Sequence, residues 1–274
     1  MDTIVIKKEG SKFIVKENDE LIKCRAKGTL KKEGITVLVG DVVELGEEET
    51  ITRVFDRKNV LNRPNIANVD QALIVVSAVN PEFSTYLLDK KINILEYNNI
   101  TPIICITKMD LLDDTEEVDG ILDYYKKIGY KVIFNTEKKE IIETLENKIT
   151  VLIGQSGVGK STLLNFLDDS LNLLSQEISL RLGRGKNTTR SVELIEVCDG
   201  LVADTPGFSV LDFVDMNKED IRDNMIEFNK YKSKCKYKDC MHLKEKECGV
   251  KEALDKNKIL ASRYENYTKF IGEL

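Results

Sequence analysis

The sequence predicts a multidomain chain with an N-terminal β-barrel over residues 1–62, a central α/β unit over 63–213 and a mainly helical, metal-binding tail over 214–274. Three observations carry this. Short alternating segments separated by Gly and charged turns fill the first unit, and near-continuous apolar runs alternate with amphipathic stretches in the second. Beyond Phe213 the apolar runs stop and a charged, cysteine-containing stretch follows. A chain of 274 residues with 42% hydrophobic content buries a real core and exceeds the usual size of one domain.

In the first unit, TIVIKKEGSKFIVKEN alternates and turns, LIKCRAKGTL follows, and GITVLVGDVVEL and EETITRVFDRKNVL complete it. Several short strands in so little chain suit a small barrel of the oligonucleotide-binding (OB) type. A small barrel that serves only for packing gives the same pattern. In the second unit, VDQALIVVSAV reads as a strand covered on both faces, and TYLLDKKINILEYNN carries Leu87, Leu88, Ile92 and Leu95 at helical spacing. PIICITK, ILDYYKKIG, KVIF, IIETLENK and TVLIG repeat that pairing, as a mostly parallel sheet requires.

No apolar run approaches the ~18 residues of a membrane span, and MDTIVIKKEGSKF lacks the apolar core of a signal peptide. The expectation is a cytoplasmic protein, whose six cysteines are then metal ligands or buried thiols and not a disulfide framework. The net charge of −6 argues against general attraction to nucleic acid. Two local patches oppose it: Arg181, Arg184, Lys186 and Arg190 without an intervening acid, and the alternating Lys230, Lys232, Lys234, Lys236 and Lys238. Solvated surface charge explains either patch equally well.

GQSGVGKST, comprising Gly154, Gln155, Ser156, Gly157, Val158, Gly159, Lys160, Ser161 and Thr162, matches the phosphate-binding loop in full. An apolar strand precedes it and a helical stretch follows, so loop N–H groups and the helix dipole face one point. Lys160 is positioned by the motif to neutralise the β and γ oxygens, and Ser161 to give Mg²⁺ a hydroxyl. Asp204-Thr205-Pro206-Gly207 ends the apolar strand GLVA. Asp204 is there a candidate support for the magnesium, and Gly207 a candidate donor to a γ-phosphate. Alone, that tetrapeptide is an ordinary turn signal.

Thr107-Lys108-Met109-Asp110 closes the strand PIICI and resembles the guanine-specificity motif more often written Asn-Lys-x-Asp. A carboxylate there accepts from the ring N–H and the exocyclic amine of guanine, whereas adenine leaves it unpaired. Thr107 departs from the usual Asn but keeps a hydroxyl for holding neighbouring loops. The guanine motif thus precedes the phosphate loop and Asp-x-x-Gly, the reverse of the usual GTPase order. This is a circular permutation, tolerated because every ligand loop sits at the carboxyl ends of strands.

Cys235-x4-Cys240-x-His242-x5-Cys248 brings three thiols and the chain's single histidine together. A structural Cys₃His zinc site is the reading, with a redox or merely buried cysteine cluster as its rival. Cys24, Cys105 and Cys198 read as ordinary buried thiols.

Together the permuted order, the small barrel and the Cys/His tail resemble the ribosome small-subunit-dependent GTPase A family over essentially the whole chain. Gly40-Asp41-Val42-Val43, Ala67-Asn68-Val69-Asp70-Gln71 and Leu182-Gly183-Arg184-Gly185-Lys186 carry the likeness further. The resemblance implies a maturation factor that binds the small ribosomal subunit and its rRNA. It further implies hydrolysis of GTP to GDP and phosphate under stimulation by that subunit, followed by release. It also implies switch threonines at Thr188 and Thr189, either of which is a candidate magnesium ligand, and one structural zinc in a monomeric protein.

Two positions depart from the family. Asn187 stands where members commonly carry His, so an imidazole base is excluded there. The Ser-Ala element that backs the base is replaced by IFNTEKK, leaving Asn135 or Thr136 for that role. Phe208 occupies the place where many small GTPases carry a water-orienting Gln, which predicts slow intrinsic turnover. A nucleotide kinase would lack the guanine motif. An RNA-binding module with a decayed nucleotide site would not keep Lys160, Ser161 and Asp204.

Overall fold

The computed structural model describes residues 3–18, 20–62, 65–168, 192–204 and 212–274. The first sheet contains β1 (Ile4–Glu9), β2 (Lys12–Glu17), β3 (Glu20–Ala26), β4 (Val43–Gly46) and β5 (Thr50–Val54), in the order β1-β2-β3-β5-β4. Its ends meet. Val5 N–H donates to Asp41 O at 2.9 Å, Gly40 N–H to Val5 O at 2.7 Å and Val43 N–H to Thr3 O at 2.9 Å, which closes the sheet into a barrel. Val5, Phe13, Val15, Cys24, Leu30, Val37, Val43 and Ile51 fill it. The sequence reading missed two features here. LIKCRAKGTL is strand only through Ala26 and ends in a short helix, Gly28–Lys32, that plugs the barrel with Leu30, and GITVLVG is largely loop.

Asp41 explains the Gly-Asp-Val-Val segment. Fully buried, it accepts Arg57 Nε at 2.6 Å and Nη2 at 2.8 Å, and also Leu38 N–H at 2.7 Å. A bidentate pair of this kind satisfies a carboxylate that burial alone would penalise. The hairpin β6 (Val60–Asn62) and β7 (Asn65–Ala67) leads onward, and Asn68 Nδ2–H bonds back to Gly40 O at 2.9 Å.

The central sheet holds β8 (Gln71–Ser77), β9 (Thr101–Thr107), β10 (Lys131–Phe134), β11 (Ile149–Ile153), β12 (Leu194–Val197) and β13 (Gly200–Asp204). The spatial order is β10-β9-β8-β11-β13-β12, parallel except for the edge strand β12. Every residue of β8 and β11 is buried, the pattern of strands covered on both faces. The chain winds outward one way through β8, β9 and β10, then returns to the centre and winds the other way. The crevice at the carboxyl ends of β8 and β11 is therefore the topological switch point, where open α/β sheets bind ligands.

The antiparallel hairpin of β12 and β13 turns on Cys198 and Asp199, whose φ values are 52° and 56°. Both residues being left-handed defines the tight turn that matches strand twist. Cys198 is accordingly only half-buried, which corrects the expectation of a buried thiol, whereas Cys24 and Cys105 are buried.

Beyond Phe213 the chain forms helices Lys218–Asp223, Gly249–Asp255 and Ala261–Glu273 with two 3₁₀ turns. Asn217 and Asp220 close a capping box at the first of these. Helix Ala261–Glu273 packs on helix Thr85–Tyr97, and their contact contains a buried ionic cluster. Arg263 donates to both oxygens of Glu227 at 2.7 Å and to Asp89 at 2.7 Å. Asn266 adds a bond to Asp89 at 2.7 Å, and Tyr125 donates to the same carboxylate.

Candidate nucleotide site and metal centre

The segment after β11 folds as a loop because its glycines permit what other residues cannot. Gly154 has no room for a side chain, since a Cβ there would lie 2.5 Å from Val75 O, and Gly159 holds φ at 99°. Helix Lys160–Leu167 starts directly after it with no side-chain cap. Its first N–H groups are therefore left for an external acceptor. Lys160 Nζ reaches back over the loop to Gly154 O at 2.7 Å and Gln155 O at 2.8 Å. Ser156, Gly157, Ser161 and Thr162 are exposed, whereas Val158 is buried and anchors the loop.

β9 delivers the second motif to the same rim. Buried Thr107 donates its hydroxyl to Val158 O at 2.7 Å, and Lys108 Nζ donates to Gly157 O at 2.9 Å and to Asn80 O. The bonds to Val158 and Gly157 tie the Thr107–Asp110 segment to the phosphate loop. Lys108 itself is left-handed at φ 59°, which turns the chain sharply out of the strand. Met109 packs on the core and Asp110 is exposed.

Beside the two motifs lies a cleft of ≈ 410 Å³, lined by Thr107, Lys108, Val158 and Gly159 together with Asn135, Thr136 and Phe166. That volume suits one purine nucleoside. Both candidates for backing the base, Asn135 and Thr136, line it, whereas the exposed Asp110 is not among its lining residues. Phe166 escaped the sequence reading. It is 43% exposed with Lys138 Nζ 5.1 Å from its ring centre, an aromatic wall whose signal was an apolar residue on the polar face of its helix.

Asp204 ends β13 beside β11, its backbone in register with Leu152, so its carboxyl-end placement is shared with the phosphate loop. Thr188, Thr189 and Gly207 lie outside the described residues, as do Asn187, Phe208 and the Arg181–Arg190 patch.

The metal centre is defined more fully. One ligand atom each from Cys235, Cys240, His242 and Cys248 lies within 4.8 Å of every other. Cys235 Sγ is 3.9 Å from Cys248 Sγ and 3.6 Å from His242 Nδ1, which is 3.3 Å from Cys248 Sγ. A tetrahedral zinc with Zn–S of about 2.3 Å and Zn–N of about 2.05 Å needs S···S edges of roughly 3.8 Å and S···N edges of roughly 3.6 Å. The donor set fits that ion. Burial pushes the Cys240 thiol up to about 12 and holds the imidazole below its ordinary value. Ionisation of the Cys240 thiol is therefore favoured only beside a cation, and burial favours the neutral imidazole that ligates.

Second contacts fix the loop. Glu245 accepts from Met241 N–H at 2.7 Å and Leu243 N–H at 2.8 Å, and Phe228 meets the imidazole edge-on at 5.7 Å. Tyr264 and Tyr267 donate to His242 O at 2.6 Å and Met241 O at 2.5 Å. Four protein ligands leave no open position, as in a structural site.

Comparison with known proteins follows the same lines. The RsgA N-terminal domain family matches residues 3–52 and the RsgA GTPase family residues 54–214. A Bacillus cereus protein named "Small ribosomal subunit biogenesis GTPase RsgA" is 45% identical over 98% of this chain and 96% of its own. The Bacillus subtilis protein of that name is 46% identical over 94% and 91%. Among solved structures, YloQ, described as a circularly permuted GTPase, aligns with a TM-score of 0.82 at 39% identity over 99% of this chain and 94% of its own. YjeQ from Thermotoga maritima aligns with a TM-score of 0.86 at 35% identity over 99% and 97%. With barrel, permuted α/β sheet and Cys/His tail all matched across nearly the whole length, the chain belongs to the RsgA GTPase family.

Proposed function

We propose that this protein binds the small ribosomal subunit late in its maturation, hydrolyses GTP under stimulation by that subunit, and leaves it when hydrolysis is complete. The observation that carries the reading is the convergence of Thr107 and Lys108 with Val158, Gly159 and Thr162 on one cleft at the switch point, tied together through Thr107 and Val158. The names borne by the relatives point to the small subunit as partner.

In this reading Asp110 and the Lys108 stem select guanine, with Met109 packed beneath, and Asn135 or Thr136 backs the base. Loop N–H groups from Gly154 to Thr162 and the Lys160 ammonium hold the phosphates. Ser161 and Asp204, with Thr188 or Thr189, hold the magnesium. That ion supplies charge neutralisation at the phosphate oxygens. Lys160 offsets charge building on the leaving phosphate, and Gly207 N–H meets the γ-phosphate. With Phe208 and Asn187 in place of water-orienting groups, docking on the subunit positions the attacking water, and the phosphoric anhydride is cleaved.

The division into residues 1–62, 63–213 and 214–274 gives the molecule two RNA-facing ends. The OB-type barrel is one. The other is the segment of Lys230, Lys232, Lys234, Lys236 and Lys238, all exposed, with Tyr237 at 53% exposure among them. No helix among the described residues is long and apolar enough to cross a membrane; the proposed factor is monomeric and cytoplasmic.

The test is GTP turnover by the purified chain with and without small subunits, large subunits and a Lys160→Ala control. Stimulation by small subunits alone, abolished in Lys160→Ala, is expected. Stimulation by large subunits only, or full turnover without any ribosomal particle, overturns the assignment.

A further inference from the structure

Helix Thr85–Tyr97 carries three consecutive charged residues, and two of them are paired. Asp89 meets Arg263, and Lys90 meets Asp212 at 3.2 Å and Glu273 at 2.9 Å. Lys91 is 4% exposed and has no hydrogen bond or ion pair among the described residues. It lines a small cavity with Ser77, Glu82, Ser84, Gln155 and Val158. Gln155 and Val158 belong to the phosphate loop, so Lys91 and that loop share one cavity. Burial, and after it repulsion from Lys160, push its ammonium down to about 8 from an ordinary 10.5.

Lysine is almost never buried without a partner, because an uncompensated ammonium in a dry site costs stability. Such a cost persists at sites where a ligand relieves it. Here the two cations repel each other across the loop, and a polyanion seated on the loop's open face attracts both.

Resting on the reading of this cleft as a GTP site, we infer that Lys91 is a second cation of the phosphate loop, whose buried charge raises the site's preference for a nucleoside triphosphate over the diphosphate. It is a positioning residue and not a catalytic one, since it lines the cavity with Ser77 and Glu82 and not the cleft read as the nucleotide site. The γ-phosphate adds negative charge at the point where Lys160 and Lys91 are both felt. One added charge at roughly 12 Å, with an effective dielectric constant of about 20, corresponds to about a tenfold change in relative affinity.

The test is titration of the full-length chain with magnesium and either a non-hydrolysable GTP analogue or GDP, for wild type, Lys91→Met, Lys91→Arg and Lys160→Ala. Lys91→Met keeps length and apolarity but removes the charge. It is expected to weaken analogue binding about tenfold relative to GDP, while the unliganded variant melts at a higher temperature than wild type. Lys91→Arg is expected to keep the wild-type ratio. The opposite signs matter, because a merely accommodated lysine predicts the gain in stability with no change in the nucleotide ratio, and that result overturns the inference. Should Lys91→Met not fold, Lys91→Gln carries the same comparison. A wild type that binds neither nucleotide overturns the GTP reading itself, whereas binding that depends on Lys160 with an unchanged ratio in Lys91→Met overturns the Lys91 assignment alone.

Discussion

Replacing Arg263 with Met tests how the tail is held to the sheet. The guanidinium is fully buried and makes three charge-assisted bonds of 2.7 Å, two to Glu227 and one to Asp89, which are themselves 2% and 0% exposed. The substitution leaves two carboxylates in a dry contact with no cation. Breaking a buried pair from one side costs about 3–5 kcal/mol, a large part of the roughly 5–15 kcal/mol by which a folded chain is stable. At about 2–4 °C per kcal/mol for a protein approaching this size, the midpoint should fall by roughly 6–20 °C.

The pH dependence has a definite sign. Burial pushes the Asp89 carboxyl up and Arg263 beside it pulls it back. Removing Arg263 leaves burial opposed only by the hydrogen bonds from Asn266 and Tyr125, so the folded variant binds more protons than its unfolded chain through the carboxylate range and regains stability as pH falls. Thermal unfolding of both proteins at pH 7.5 and pH 5.5 should therefore show a gap that narrows in acid. Neutralising the partners as well, in Asp89→Asn, Glu227→Gln, Arg263→Met, should recover most of the loss. A midpoint within about 1 kcal/mol of wild type, or a gap indifferent to pH, refutes the reasoning.

Two further outcomes follow from the sites. The purified protein should carry one zinc by elemental analysis, and stripping it with a chelator should unfold residues 214–274 first, because closed ligation by Cys235, Cys240, His242 and Cys248 is folding energy; an unchanged unfolding profile after stripping would refute a structural metal. Thr107→Val keeps the buried volume but leaves Val158 O without its 2.7 Å donor, which should cost roughly 1–3 kcal/mol. Because Val158 anchors the phosphate loop, nucleotide affinity should fall in calorimetry while the far-ultraviolet circular dichroism is retained.

What the sequence made legible was whatever depends on short spacing. The phosphate loop, Thr107–Asp110 and the Cys/His set each act within a few residues, and each stands where its strand or loop implied. The barrel was legible as strands but not as closure, because closure rests on Asp41 O, Gly40 N and Thr3 O meeting β1 or β4 across the fold. Cys198 was misread as buried because its apolar neighbours belong to strands, whereas it occupies the turn between them. Asp89, Glu227 and Arg263 were invisible for a different reason. Their partners lie 36 and 174 residues apart, and an Asp or an Arg in a helix reads as solvated until tertiary packing removes the water. Lys91 hid in the same way, as one of two adjacent lysines on a helix with an exposed appearance.

Permuted order joins β13 to the tail through the chain itself, but helix Thr85–Tyr97 joins the nucleotide cleft to the tail a second time. Its Lys91 faces the phosphate loop, while Asp89 and Asn93 face the tail, the latter donating to Ile221 O at 2.9 Å. Helix Ala261–Glu273 receives Asp89 through Arg263 and Asn266, and its Tyr264 and Tyr267 hold the two carbonyls that shape the metal loop. From phosphate loop to metal there are thus two packed helices and buried, charge-assisted bonds. Rigid elements so joined move together and do not bend independently. The metal therefore does more than staple a polar tail. Bound there, it would hold the loop whose carbonyls Tyr264 and Tyr267 grip, and its removal is expected to loosen the phosphate loop as well as the tail, which hydrogen exchange of residues 154–162 in stripped and zinc-loaded protein checks.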